Sequence, residues 1–209
     1  MVSVTTIHQQ FYKNALIPPI TLEHVELSLL TPKSVADLIT SLSGKRLGVT
    51  ASYGKKCVLV ALAFSSESRV LLITMNNTSK PTKFQESILR DVLLHNTSLE
   101  KHGFFMERLA AALFLDFGFR VRGAFDLVSG RDSRGSISAY KTVLERARPQ
   151  DAVDGRAVKL VFTEQASSVL PRNTKFALRA WACYVAVQGV PDKPDPIDTL
   201  AKDTKARST

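Results

Sequence analysis

The sequence predicts an α/β domain: a mixed sheet that begins as a three-stranded antiparallel meander, continues in short parallel strands and is flanked by helices. Three observations carry this. Lys45 to Met75 holds three short apolar runs, Leu47 to Ala51, Cys57 to Phe64 and Val70 to Met75, rich in Val, Ile and Leu and parted by a Gly-Lys-Lys and a Ser-Ser-Glu-Ser turn. Strands of a buried sheet present themselves in this form. Helical spacing dominates the chain after them, as it does where helices cover a sheet. The 209 residues, 44% hydrophobic and 22% charged, are enough for one good core, so a single domain with short tails is expected.

Residues 1–30 are the least regular. Leu16 to Ile20 carries the doubled proline Pro18-Pro19, through which no helix runs, so the segment reads as an extended arm lying across the body or reaching a protein partner. Thr31 then caps a helix with Pro32 at its first position and Val35, Leu38, Ile39 and Leu42 on one face, and Gly44 ends it. After the meander, Asn76 to Thr82 is a polar loop, and Phe84 to Leu94 is a helix with Phe84, Ile88, Leu89, Val92 and Leu93 aligned. Glu100 to Phe105 reads as a brief buried strand, Met106 to Phe117 as a helix and Phe119 to Val121 as another short strand. Ala124 to Leu127 reads as a helical turn capped by Asp126. A basic loop, Gly130 to Gly135, precedes a helix over Ile137 to Arg146. Val158 to Phe162 fits a strand or a buried turn equally, and Asn173 to Val190 is the last helix. Residues 191–209, proline-rich and charged, read as a disordered tail.

Composition narrows the function. With 28 Lys plus Arg against 19 Asp plus Glu, the net charge is +9, which favours acidic partners and nucleic acid above all. Cys57 and Cys183 sit in apolar surroundings and read as buried free thiols, fitting a reducing intracellular compartment, nucleus or cytoplasm. No run has the length of a membrane span, and no charged head precedes an apolar block at the N-terminus, so neither a span nor a secretory signal is expected. His8, His24, His95 and His102 lack metal-ligand spacing. Ser65, Ser66 and Ser68 lack the glycines of a nucleophile elbow, and Gly54-Lys55-Lys56 lacks the upstream glycine and following hydroxyl of a phosphate-binding loop.

The order of elements, with the passages KHGFFMERLAAALFLDFGFRVRGAFDL (Lys101 to Leu127) and AWACYVA (Ala180 to Ala186), resembles the DEDD-type 3′–5′ exonucleases, a branch of the ribonuclease H-like fold. The resemblance spans about residues 31 to 190, and Lys55 to Met75 is similar to the family's second and third strands. That family holds two divalent cations about 3.5 to 4 Å apart with four carboxylates. The resemblance places those carboxylates at Thr50 and Ser52 on the first strand, at Leu109 and at Val185, with Trp181 in place of the general base. None of these residues supplies an anionic oxygen, and indole accepts no proton. Glu107, two residues before Leu109, is turned away on a helix.

The chain is therefore expected to be a pseudo-exonuclease with no metal and no cofactor, binding RNA or single-stranded DNA or scaffolding a nucleic-acid-processing complex. In the fold the resemblance implies, substrate crosses the end of the first strand and the start of the last helix, which points to Lys55, Lys56, Arg172, Lys175 and Arg179 as phosphate contacts. The same residues also fit a solvated basic rim, and Arg131 with Arg134 forms a weaker second patch. Two other readings stand beside this one: a purely protein-binding scaffold using the cleft and the first 30 residues, and an active exonuclease with relocated carboxylates.

Overall fold

The computed structural model describes residues 2–13, 17–54, 58–75, 82–128, 136–163 and 170–188. Lys55, Lys56, Cys57, Arg131, Arg134 and the expected tail lie outside the described residues. Within them, seven strands form one sheet: β1 (Ser3–Ile7), β2 (Ile20–Glu26), β3 (Arg46–Tyr53), β4 (Leu59–Ser65), β5 (Arg69–Thr74), β6 (Glu100–Gly103) and β7 (Ala124–Asp126). Their order is β1-β2-β5-β4-β3-β6-β7. The meander β3–β4–β5 is antiparallel, and β6 and β7 add to β3 in parallel. Ser66 closes the β4–β5 turn, its hydroxyl accepting from the Arg69 amide at 3.1 Å.

Among the described residues six α-helices cover the sheet: α1 (Pro32–Thr40), α2 (Lys83–Ser87), α3 (Met106–Phe117), α4 (Ile137–Ala147), α5 (Gly155–Phe162) and α6 (Arg172–Gln188). Thr31 caps α1 as its position predicts, accepting from the Ser34 amide at 3.2 Å. A capping box of Thr82 and Gln85 starts α2, which runs on as a π-helical segment over Ile88–Leu94. Strand parity sorts the core into two layers. Val49, Leu62, Phe64, Leu71 and Ile73 face α1, the α2 continuation and α3. Ala61, Ala63, Val70 and Leu72 face α4, α5 and α6. Among the described residues no helix is long and apolar enough to cross a membrane.

Three expectations are corrected. The described part of the first 30 residues joins the sheet and is not an arm: β2 pairs in parallel with β5, and β1 pairs antiparallel with β2. Their side chains reach both layers, Ile20 and Leu22 on one face and Val25 on the other, so burial holds them in place. The strand expected at Phe119 to Val121 lies instead at β7. Gly118 and Gly123, at φ +69° and +62°, turn the chain on either side of Phe119, which enters the core while Ala124 pairs with Lys101. Finally, Val158 to Phe162 belongs to helix α5, because Asp154 caps it through the amides of Arg156 and Ala157. Its valines suit a strand by propensity, but the cap decides.

Candidate nucleic-acid interface

Helix α6 lies antiparallel along β3, and its approach depends on one glycine. A Cβ on Gly48 would meet the Ala180 carbonyl oxygen at 2.2 Å and the Tyr184 amide nitrogen at 2.5 Å, so only glycine lets the backbones come this near. At the other end of the seam, Arg172 donates to the Ser52 hydroxyl at 3.1 Å. Thr50 and Ser52 share Gly48's parity and so point to the α6 side. A register shift at Ser52/Tyr53 bends the strand just there, as bulges commonly do beside sites.

A cleft of about 400 Å³ opens at this end of β3. Thr50, Ala51, Tyr53 and Gly54 form its floor, Phe104 and Phe105 its entry from β6, Arg108 and Leu109 its α3 side, and Tyr140, Phe162 and Arg179 its far wall. The aromatic side chains brace one another. Tyr140 stacks on Phe162 with ring centroids 4.1 Å apart, and Phe104 sets its edge against both. The Arg108 guanidinium lies 4.7 Å over the Tyr53 ring, a cation–π contact. Arg179 is held by a bond from Nε to the Val161 carbonyl at 2.8 Å. Among the described residues no carboxylate lines the cleft.

Asp126, whose carboxylate reaches the backbone of the lining residue Phe105, is occupied by amide donors. Its oxygens accept the amides of Phe105 at 3.4 Å, Met106 at 3.0 Å and Val128 at 2.9 Å. It thus caps α3, not a turn of its own as its sequence suggests, although the Val128 bond is local. Burial raises its pKa despite those three donors.

The structure shares its fold with solved nucleases. The apo form of one nuclease matches with a TM-score of 0.55 and 14% identity, over 80% of this chain and 79% of that chain. Brucella melitensis NrnC matches with a TM-score of 0.53 and 12% identity, over 80% and 79%. This is the ribonuclease H-like fold. The EXD2 exonuclease domain soaked in Mg and GMP matches at 20% identity and a TM-score of 0.41, over 50% of this chain and 56% of that chain, so the match spans about half of that domain's length. No family model matches the sequence, and no curated protein matches it. At these identities the likeness is one of fold.

Within that fold, the residues named from sequence part company. Thr50 and Leu109 line the cleft, and Ser52 sits behind them, buried and bonded to Arg172. Trp181 and Val185 do not line it. Trp181 stacks on Phe11 with centroids 6.1 Å apart and donates from Nε1 to the Glu67 carbonyl at 2.9 Å, in the layer that anchors β1 and β2. The physical reason is helical rotation: Trp181 stands two positions after Arg179, which turns them about 200° apart, so α6 offers Arg179 to the cleft. Cys183, one turn on, lies on Arg179's side with the backbone of Phe104 and Val49 beside it. Of the expected phosphate contacts, Arg179 lines the cleft, and Arg172 is outside the lining and bonded to Ser52. Lys175 is 7% exposed and donates to the Thr163 carbonyl at 3.2 Å, which makes it a strut between α5 and α6. Glu107 is exposed on α3, outside the lining.

Phe104, Phe105, Arg108, Tyr140 and Phe162 were not anticipated as site residues. Arg108 had a local signal, since it adjoins Leu109, and a doubled phenylalanine after Gly103 was another. Tyr140 and Phe162 come from separate helices and carry none. The sequence resemblance implies two divalent cations, and the donor set of the cleft among the described residues does not fit them. Hard cations need anionic oxygens, whereas the described lining offers one threonine, two tyrosines and two arginines as its polar side chains.

Proposed function

We propose that this chain is a pseudo-exonuclease: a ribonuclease H-like domain that binds RNA or single-stranded nucleic acid at the end of β3 and does not cut it. The observation that carries this reading is the lining of the cleft, where two arginines and several aromatic side chains stand and no carboxylate does among the described residues. Guanidinium groups neutralise phosphates, and aromatic faces accept unstacked bases without regard to sequence. The net charge of +9 supports it by drawing a polyanion toward the surface.

The test is fluorescence anisotropy of a labelled single strand, in chelator and in Mg²⁺, across a salt series, with a parallel gel for trimming. The expected result is binding that weakens steeply with salt, is equal in chelator and Mg²⁺, and leaves the strand full length. Replacing Arg108 and Arg179 together with glutamine should lower affinity and flatten the salt slope by roughly 0.7 per lost contact. Metal-dependent trimming would restore the enzyme reading. A flat titration at low salt would leave the protein-binding scaffold in its place.

A further inference from the structure

Phe105 is the one non-glycine residue at positive φ among the described residues, at φ 62° and ψ 46°. A side chain there clashes with its own backbone, which is why glycine usually fills such positions. A non-glycine residue held in this region is a pointer to function when it lies at a site, and Phe105 lines the cleft. Its conformation is enforced from outside. The Asp126 carboxylate reaches across from β7 to the amides of Phe105 and Met106, and the Val128 amide fixes that carboxylate in turn.

The ring itself is half-buried and meets Tyr140 edge-on, with centroids 6.4 Å apart and planes at 87°. Arg108 follows it by three residues, on the same side of α3, and Arg179 stands on the opposite wall. A cavity of about 400 Å³ is at the small end of ligand sites, of a size for one nucleotide unit and not for a duplex. An apolar platform between two cations matches a base joined to its phosphate.

We infer that Phe105 is the stacking platform of a single-nucleotide subsite, which takes one unpaired nucleobase on its ring and the attached phosphate on Arg108 and Arg179, with Asp126 as the residue that positions the platform. This rests on the reading of the cleft as a nucleic-acid site. The turn is spent on an aromatic side chain where glycine would suit the backbone, and stacking explains that choice because it needs a flat face held at a fixed angle.

Three probes in chelator at low salt separate the possibilities: a labelled dT12, the same length of abasic phosphate backbone, and AMP as competitor. Phe105→Gly relieves the backbone while deleting the ring. It should bind dT12 about tenfold or more weaker, bind the abasic strand as the wild type does, lose AMP competition and melt within about 5 °C of wild type or above it. Phe105→Trp should restore dT12 binding. If Phe105→Gly binds dT12 as wild type does, the platform is refuted while the proposed function stands. A Phe105→Gly that weakens both strands equally and melts far lower would show a packing residue and also refute it. A wild-type protein that binds neither strand would overturn the proposed function itself.

Discussion

Cys183 is fully buried on α6, and burial pushes its thiol up to about 12. An unfolded cysteine titrates near about 8.5. Between those values the unfolded chain has given up a proton that the folded chain keeps, so this residue's contribution to stability falls as pH rises from about 8.5 toward 12. Lys101 acts in the opposite sense. Its ammonium is buried, donates to the Arg122 carbonyl at 2.8 Å and also reaches the Asn96 carbonyl, and has its pKa lowered to about 8 by burial, so its contribution improves as pH rises through that range. The two are separated by difference. From pH 8 to pH 10, Cys183→Ala should lose about 2 kcal/mol less stability than wild type, read by urea denaturation at each pH. An identical pH dependence in the two proteins would show the thiol to be exposed in the folded state.

At the scale of elements, α6 does two jobs on two sides. Gly48 brings its backbone against β3, which sets Arg179 at the cleft, and the opposite turn drives Trp181 into the layer beneath β1 and β2. Trp181 is 2% exposed, stacked on Phe11 and edge-on to Tyr12. Truncating so large a buried ring costs about 3–5 kcal/mol, and here it also leaves the Glu67 carbonyl without its donor. Trp181→Ala should therefore lose stability of that order in a denaturant melt. The fraction still folded at low temperature should bind a single strand as wild type does, because Trp181 lies off the cleft. Lost affinity with stability intact would place the indole in the site, where the sequence resemblance had put it.

For the whole molecule, the sheet is continuous from β1 to β7, and the first two strands are integral to it. β2 covers the edge of β5, and Phe11, Tyr12, Ile20, Leu22 and Val25 are buried in the two layers. Removing residues 1–26 should expose the β5 edge, an open template for pairing with other chains, and yield a protein that aggregates or lacks a cooperative melt by circular dichroism. A truncated domain that stays monomeric and melts cooperatively would show that these strands are an appendage.

The sequence determined what local chemistry can determine. Apolar runs between turn formers marked the β3–β4–β5 meander, the cap at Thr31 and spacing along Met106 to Phe117 marked helices, and the resemblance directed attention to the end of β3, where Thr50 and Leu109 line the cleft. It could not place what arises between distant segments. β2 looks ambiguous alone because it is buried on both faces. Asp126 looks like a local cap because its real partners, the amides of Phe105 and Met106, lie some 20 residues upstream. The rotation of α6 rests on Gly48 in another element, and with it the exchange of Trp181 for Arg179 at the cleft. Spacing fixes which residues share a helix face, and only packing fixes where that face points.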